Sequence, residues 1–141
     1  MLPLLQLIQT RPKHMSKRKL FLVEDDPIFA EMLKDYLKTK PQWEVSYFPN
    51  GEDCIREAYQ EPDVVIIDYH LDNLNAAGMN GIDTMVKLKK TAPLAHCVFL
   101  SGQKRYGVAL QTISHGAENY IFKDENAFNE IGKILDSLPA D

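Results

Sequence analysis

Three short apolar runs, each cut off by polar or acidic residues, limit what this chain can fold into more than any other feature. Leu20 to Val23 ends at Glu24-Asp25-Asp26-Pro27, Val64 to Ile67 ends at Asp68, and Cys97 to Leu100 ends at Ser101-Gly102. Runs this short and this continuously apolar suit strands buried on both faces. Two weaker strands accompany them, Val45 to Phe48 between the first run and the second and Tyr120 to Phe122 after the third. Helical periodicity fills the gaps. Phe29, Met32, Leu33, Tyr36 and Leu37 predict one buried stripe, started by Pro27 with Asp26 as N-cap and stopped by Pro41. Asn50-Gly51 turns into a helix over Asp53–Tyr59, and Ile82, Met85, Val86 and Leu88 mark a third that stops near Pro93. A weaker helix spans Arg105–His115, with Gly107 inside it costing about 1 kcal/mol relative to alanine. Phe128, Ile131, Ile134, Leu135 and Leu138 mark the last.

Strands alternating with helices in this way require a parallel sheet covered on both faces, linked by right-handed crossovers. The mixed second strand and the very short fifth belong at the edges. Order 2-1-3-4-5 meets that condition, and it is the doubly wound, flavodoxin-like α/β arrangement. It sets the ends of the first and third strands side by side at the topological switch point, where such sheets bind ligands.

The chain has 141 residues, room for one ordinary domain, read here as 16–141 after an N-terminal tail of residues 1–15. The apolar cluster in that tail is shorter than the ~18 residues a membrane span needs, and it lacks the charge and cleavage pattern of a secretory signal. Sixteen Lys and Arg against twenty Asp and Glu give a net charge of −4, which argues against a nucleic-acid partner, and no membrane partner is expected. Cys54 and Cys97 have no metal-binding spacing, and a reduced cytoplasmic setting is the simplest reading.

In the 2-1-3-4-5 order, Glu24, Asp25 and Asp68 converge at neighbouring strand ends. Two carboxylates about 4 Å apart repel by roughly 4 kcal/mol at an effective dielectric of 20, so three in one crevice call for a cation or shared protons. Oxygen ligands without nitrogen or sulfur favour a hard ion, Mg²⁺ before Zn²⁺. Lys123 leaves the fifth strand and Ser101 the fourth at the same end of the sheet. A carboxylate nucleophile, a divalent ion, an ammonium and a hydroxyl are the parts phosphoryl transfer uses.

Leu22-Val-Glu24-Asp25-Asp26, Val64-Val-Ile-Ile-Asp68, Phe99-Leu-Ser101-Gly102 and Tyr120-Ile-Phe-Lys123, in order and each at a strand end, resemble the motifs of CheY-like response-regulator receiver domains of bacterial two-component signalling. The resemblance runs from Lys19 to Leu138. It implies that Asp68 accepts a phosphoryl group from a histidine kinase or phosphotransfer protein. It also implies that Asp25, Asp68 and the backbone carbonyl of His70 bind Mg²⁺, with Glu24 acting through water. Ser101 would hydrogen-bond the phosphoryl group, Lys123 would pair with it, and Tyr120 would be the aromatic switch. Such a domain is not an enzyme in the usual sense, since it assists only its own phosphorylation and dephosphorylation.

Two departures stand out. The family's proline after the lysine is replaced by Asp124, which predicts a trans peptide and offers a carboxylate to cap the last helix. The loop His70–Asn80 is longer than the family pattern and lacks its proline. A phosphorylation-independent interaction module is therefore the alternative reading. An aspartyl-phosphate hydrolase is disfavoured by His70 standing where a second carboxylate is needed, and a flavin site by the acidic first loop.

Overall fold

A computed structural model of the chain describes residues 17–71, 78–102 and 106–139. The tail at residues 1–15, most of the lengthened loop and Gln103 lie outside the described residues. The elements run β1 (Arg18–Val23), α1 (Pro27–Leu37), β2 (Trp43–Phe48), α2 (Gly51–Arg56), a 3-10 turn (Ala58–Gln60), β3 (Val64–Asp68), α3 (Gly81–Thr91), β4 (His96–Ser101), α4 (Tyr106–Ser114), β5 (Asn119–Phe122) and α5 (Ala127–Ser137). The five strands form one sheet in the order β2-β1-β3-β4-β5, and every neighbouring pair is parallel. This is the flavodoxin-like arrangement expected from the sequence.

Strand alternation splits the apolar residues into two cores. Phe21, Val23, Val65, Ile67, Cys97 and Phe99 face Cys54, Ala58, Met85 and Leu88 on one side of the sheet. Leu20, Leu22, Ile66, Val98 and Leu100 face Leu33, Leu37, Ile131 and Leu135 on the other. Because side chains alternate with a period of two, a one-residue slip of a central strand would exchange its contributions to the two cores, so the register is strongly specified.

Asp26 caps α1 as expected: its Oδ1 accepts the amide of Ile28 at 3.0 Å and that of Phe29 at 3.3 Å, with Pro27 as the first helical residue. The expected stripe needs one correction, since Met32 is 53% exposed. Ala30, Leu33 and Leu37 are the buried residues of α1, and at 3.6 residues per turn Met32 falls well off their face. Val86 on α3 is likewise partly exposed. The second helix is also shorter than its periodicity suggests. Asn50 starts it early by accepting the amide of Asp53 at 2.8 Å. Glu57, at φ −102° and ψ 6°, breaks it before the 3-10 turn.

Helix α4 is the least anchored. Among its described side chains Thr112 is buried, whereas Leu110 is 73% and Ile113 44% exposed. A Cβ added at Gly107 would meet nothing within 4 Å. Gly107→Ala is therefore expected to raise the denaturant midpoint, by about 0.5–1 kcal/mol of stability, because alanine restricts the unfolded chain without a clash. An unchanged or lowered midpoint would contradict this.

Candidate functional site

The ends of β1 and β3 are adjacent because Val23 pairs with Ile67, and the next residues on each strand, Glu24 and Asp68, carry the acidic groups. Glu24 is fully buried, Asp68 is 4% exposed, and Asp25 is half-buried. One carboxylate oxygen from each of Glu24, Asp25 and Asp68 lies within 4.8 Å of the others. This all-oxygen set fits a hard divalent cation, and its mutual repulsion gives the chain a reason to bind one.

Lys123 partly offsets that repulsion. Its Nζ is 2.7 Å from Glu24 Oε1 and 3.5 Å from Asp68 Oδ2, so in this state the ammonium is held more closely by the first. Burial alone would lower the Lys123 pKa, but hydrogen bonding and attraction from the two carboxylates raise it instead. Asp68 moves the other way from an ordinary carboxylate. Burial first, then the neighbouring Glu24 carboxylate, push its pKa up to about 8 despite the pull of Lys123.

Backbone geometry sets these groups in place. The Lys123 amide donates to the Ser101 carbonyl at 2.8 Å, and the Tyr69 amide to the Leu100 carbonyl at 2.8 Å. The His70 amide donates to Asp68 Oδ1 at 3.1 Å, and the Asp26 amide to Glu24 Oε2 at 3.1 Å. Ser101 closes β4 and is buried. A Cβ at Gly81 would fall 2.7 Å from the Asp68 carbonyl oxygen and 3.0 Å from that of Tyr69, so α3 begins hard against the backbone of Asp68.

The expected residues are thus brought together at one rim. Glu24, Asp25, Asp68 and Lys123 form a single cluster, with Ser101 and the backbone of His70 on the adjoining strand ends. Tyr120 stands apart from it on β5. Its ring meets Phe122 edge-on at 5.6 Å, and its buried hydroxyl has no hydrogen-bond partner among the described residues. The described residues contain no cis peptide bond, which makes the bond from Lys123 to Asp124 trans. Asp124 is placed differently from the expected cap: its Oδ1 accepts the amide of Asn126 at 2.9 Å, an Asx turn that precedes α5, whose cap position is Asn126.

Two contacts escape sequence reasoning. The Tyr47 hydroxyl on β2 donates to the Glu24 carbonyl at 2.7 Å, and the Phe29 ring centroid lies 4.6 Å from Lys123 Nζ. Phe29 reads in sequence as one member of an apolar stripe and Tyr47 as an edge-strand residue, with no local signal for either contact.

The family model of the response regulator receiver domain matches residues 20–135. The chain belongs to the response regulator receiver family. Among curated proteins this receiver is 28% identical over 107 residues to the nitrate/nitrite response regulator protein NarL of Escherichia coli K12, covering 74% of this chain and 47% of NarL. It spans about half or less of the length of the first curated regulators it matches. A receiver domain structure from Methanospirillum hungatei JF-1 superposes with a TM-score of 0.73 at 20% identity, covering 86% of this chain and 93% of that one. A Burkholderia pseudomallei response regulator structure, which contains a phosphorylated aspartic acid and a calcium ion, superposes with a TM-score of 0.67 at 21% identity, covering 86% and 76%. Both share the receiver fold. Receivers are signalling domains rather than classical enzymes. In this one, no described helix is long and apolar enough to cross a membrane.

Proposed function

We propose that Asp68 is the phosphoacceptor of a Mg²⁺-dependent signalling switch served by a histidine kinase or a phosphotransfer protein. The observation that carries this reading is the Glu24, Asp25 and Asp68 trio at adjacent strand ends, with Glu24 and Asp68 buried and the Lys123 ammonium reaching both. An Asp68 carboxylate oxygen attacks the phosphorus of a phosphohistidine. The bond from phosphorus to the imidazole nitrogen breaks, the ring leaves with the electron pair, and it takes a proton from water. The product is an acyl phosphate on Asp68.

Asp25, Asp68 and the His70 backbone carbonyl would hold Mg²⁺, with Glu24 acting through water. When bound, the ion supplies positive charge against the phosphoryl oxygens. The chain supplies the rest. The His70 amide orients Asp68 through Oδ1. Lys123 exchanges Glu24 for a phosphoryl oxygen, and Ser101 donates its hydroxyl to another. Tyr120 then turns inward, and the face built from α4, β5 and α5 changes its affinity for a downstream protein. The few buried side chains of α4 support that role, since switching elements come from the less stable parts of a fold. The domain comprises residues 16–141 behind a tail and works in the cytoplasm, without direct nucleic-acid or membrane contact. Two free, buried thiols, each pushed up to about 12 by burial, fit that setting.

Incubation with Mg²⁺ and a small acyl-phosphate donor should add one phosphoryl group to the intact mass. The gain should vanish in Asp68→Asn and on chelation of the metal. A wild-type mass that never changes, with backbone amide spectra unmoved by Mg²⁺ and a phosphoryl mimic, would instead establish a phosphorylation-independent interaction module.

A further inference from the structure

We infer that Phe29 is a positioning residue for phosphoryl transfer, its ring face forming the third wall that holds the Lys123 ammonium; this rests on the phosphoacceptor reading above. An ammonium has three N–H donors. Glu24 Oε1 at 2.7 Å and Asp68 Oδ2 at 3.5 Å are two of its partners, and the ring centroid of Phe29 at 4.6 Å lies within cation–π range. The Lys123 side chain is 17% exposed. Water therefore screens the contact little, and such contacts strengthen when desolvated.

Local sequence puts the ring there. Pro27 starts α1 directly after the acidic residues, so Phe29 falls in the first turn, where Asp26 Oδ1 also holds its amide at 3.3 Å. The ring is braced from behind. Phe128 meets it edge-on at 5.7 Å, and Tyr36 stacks on Phe128 at 5.4 Å and 24°. A braced ring offers the ammonium a fixed surface while it leaves Glu24 for the phosphoryl group. A leucine of similar bulk fills the space but presents no negative face.

The test has a spectroscopic and a kinetic arm. In the wild-type full chain, the Lys123 ε-methylene protons should resonate upfield of lysines that face no ring, unlike Lys34, which lies over Tyr47, and Phe29→Leu should return them to the ordinary position. With a small acyl-phosphate donor, Phe29→Leu should lower the maximal rate of Asp68 phosphorylation by roughly three- to tenfold while the half-saturating Mg²⁺ concentration is unchanged. Phe29→Tyr should restore the rate. An ordinary ε-methylene shift in the wild type, or equal rates for the leucine and tyrosine variants, overturns the inference. Should the leucine variant fail to fold, Phe29→Met, which fills the space without a ring, replaces it in both arms. A wild type that accepts no phosphoryl group refutes the phosphoacceptor reading, whereas the shift still reports on the contact.

Discussion

Asp68→Asn is expected to yield a chain that is more stable than the wild type at pH 7 without divalent metal, by about 2 kcal/mol, and that cannot be phosphorylated. The asparagine Oδ1 can still accept the His70 amide, and a carboxamide needs no proton taken up from solvent in order to sit beside Glu24 and Asp25. The pH dependence follows from the sign of the shift. The folded pKa of Asp68, about 8, lies above the ordinary 3.8, so between those values the folded chain holds a proton that the unfolded chain has released. Wild-type stability therefore falls as pH rises through that window. The advantage of the variant grows over the same range and is absent below its lower end. Added Mg²⁺ should stabilise the wild type more than the variant, since a ligand favours the state that binds it. Urea titrations from pH 4 to 8, with and without Mg²⁺, measure all of this. A wild type equal to or more stable than the variant at pH 7 without metal would show that the trio is not in conflict with itself.

Gly81→Val is expected to cost about 3 kcal/mol and to slow phosphorylation severely in whatever fraction folds. The added Cβ would meet the Asp68 carbonyl oxygen at 2.7 Å, the Tyr69 carbonyl oxygen at 3.0 Å and a ring carbon of Phe99 at 3.0 Å. Two of the three are backbone atoms, which cannot rotate away, so either α3 retreats or the end of β3 shifts and carries Asp68 with it. Thermal melts and phosphorylation rates, compared with a valine at the open Gly102 position, separate this from a general valine penalty. Wild-type behaviour at Gly81 would mean that α3 moves freely at its start.

Much of this site could be read before any coordinates. Glu24 and Asp68 announce themselves because strands covered on both faces must be continuously apolar, so the first carboxylate after such a run lies at the sheet's rim. Lys123 and Ser101 follow by the same reasoning, and the weak mixed second strand correctly went to an edge. Contacts that depend on how helices dock left no local trace. Phe29 looks like any other stripe residue, although once α1 docks its ring lies beside Lys123 and against Phe128 of α5. Gly81 looks like a helix-start glycine until the proximity of the β3 backbone is known. Met32 and Val86 misled for the opposite reason, because an apolar side chain on a helix does not by itself reveal which way it faces. The split of the second helix rests on the backbone angles at Glu57, which no spacing rule reports.

The last two carbonyls of β4 have a mechanical consequence. Leu100 receives the amide of Tyr69, directly after Asp68, and Ser101 receives the amide of Lys123, so two loops distant in sequence hang from one crossbar. A displacement of that strand tip strains both hydrogen bonds together, the one that holds the loop after Asp68 and the one that holds Lys123. The β4 terminus thereby ties the acidic rim to the end of β5 through main-chain hydrogen bonds.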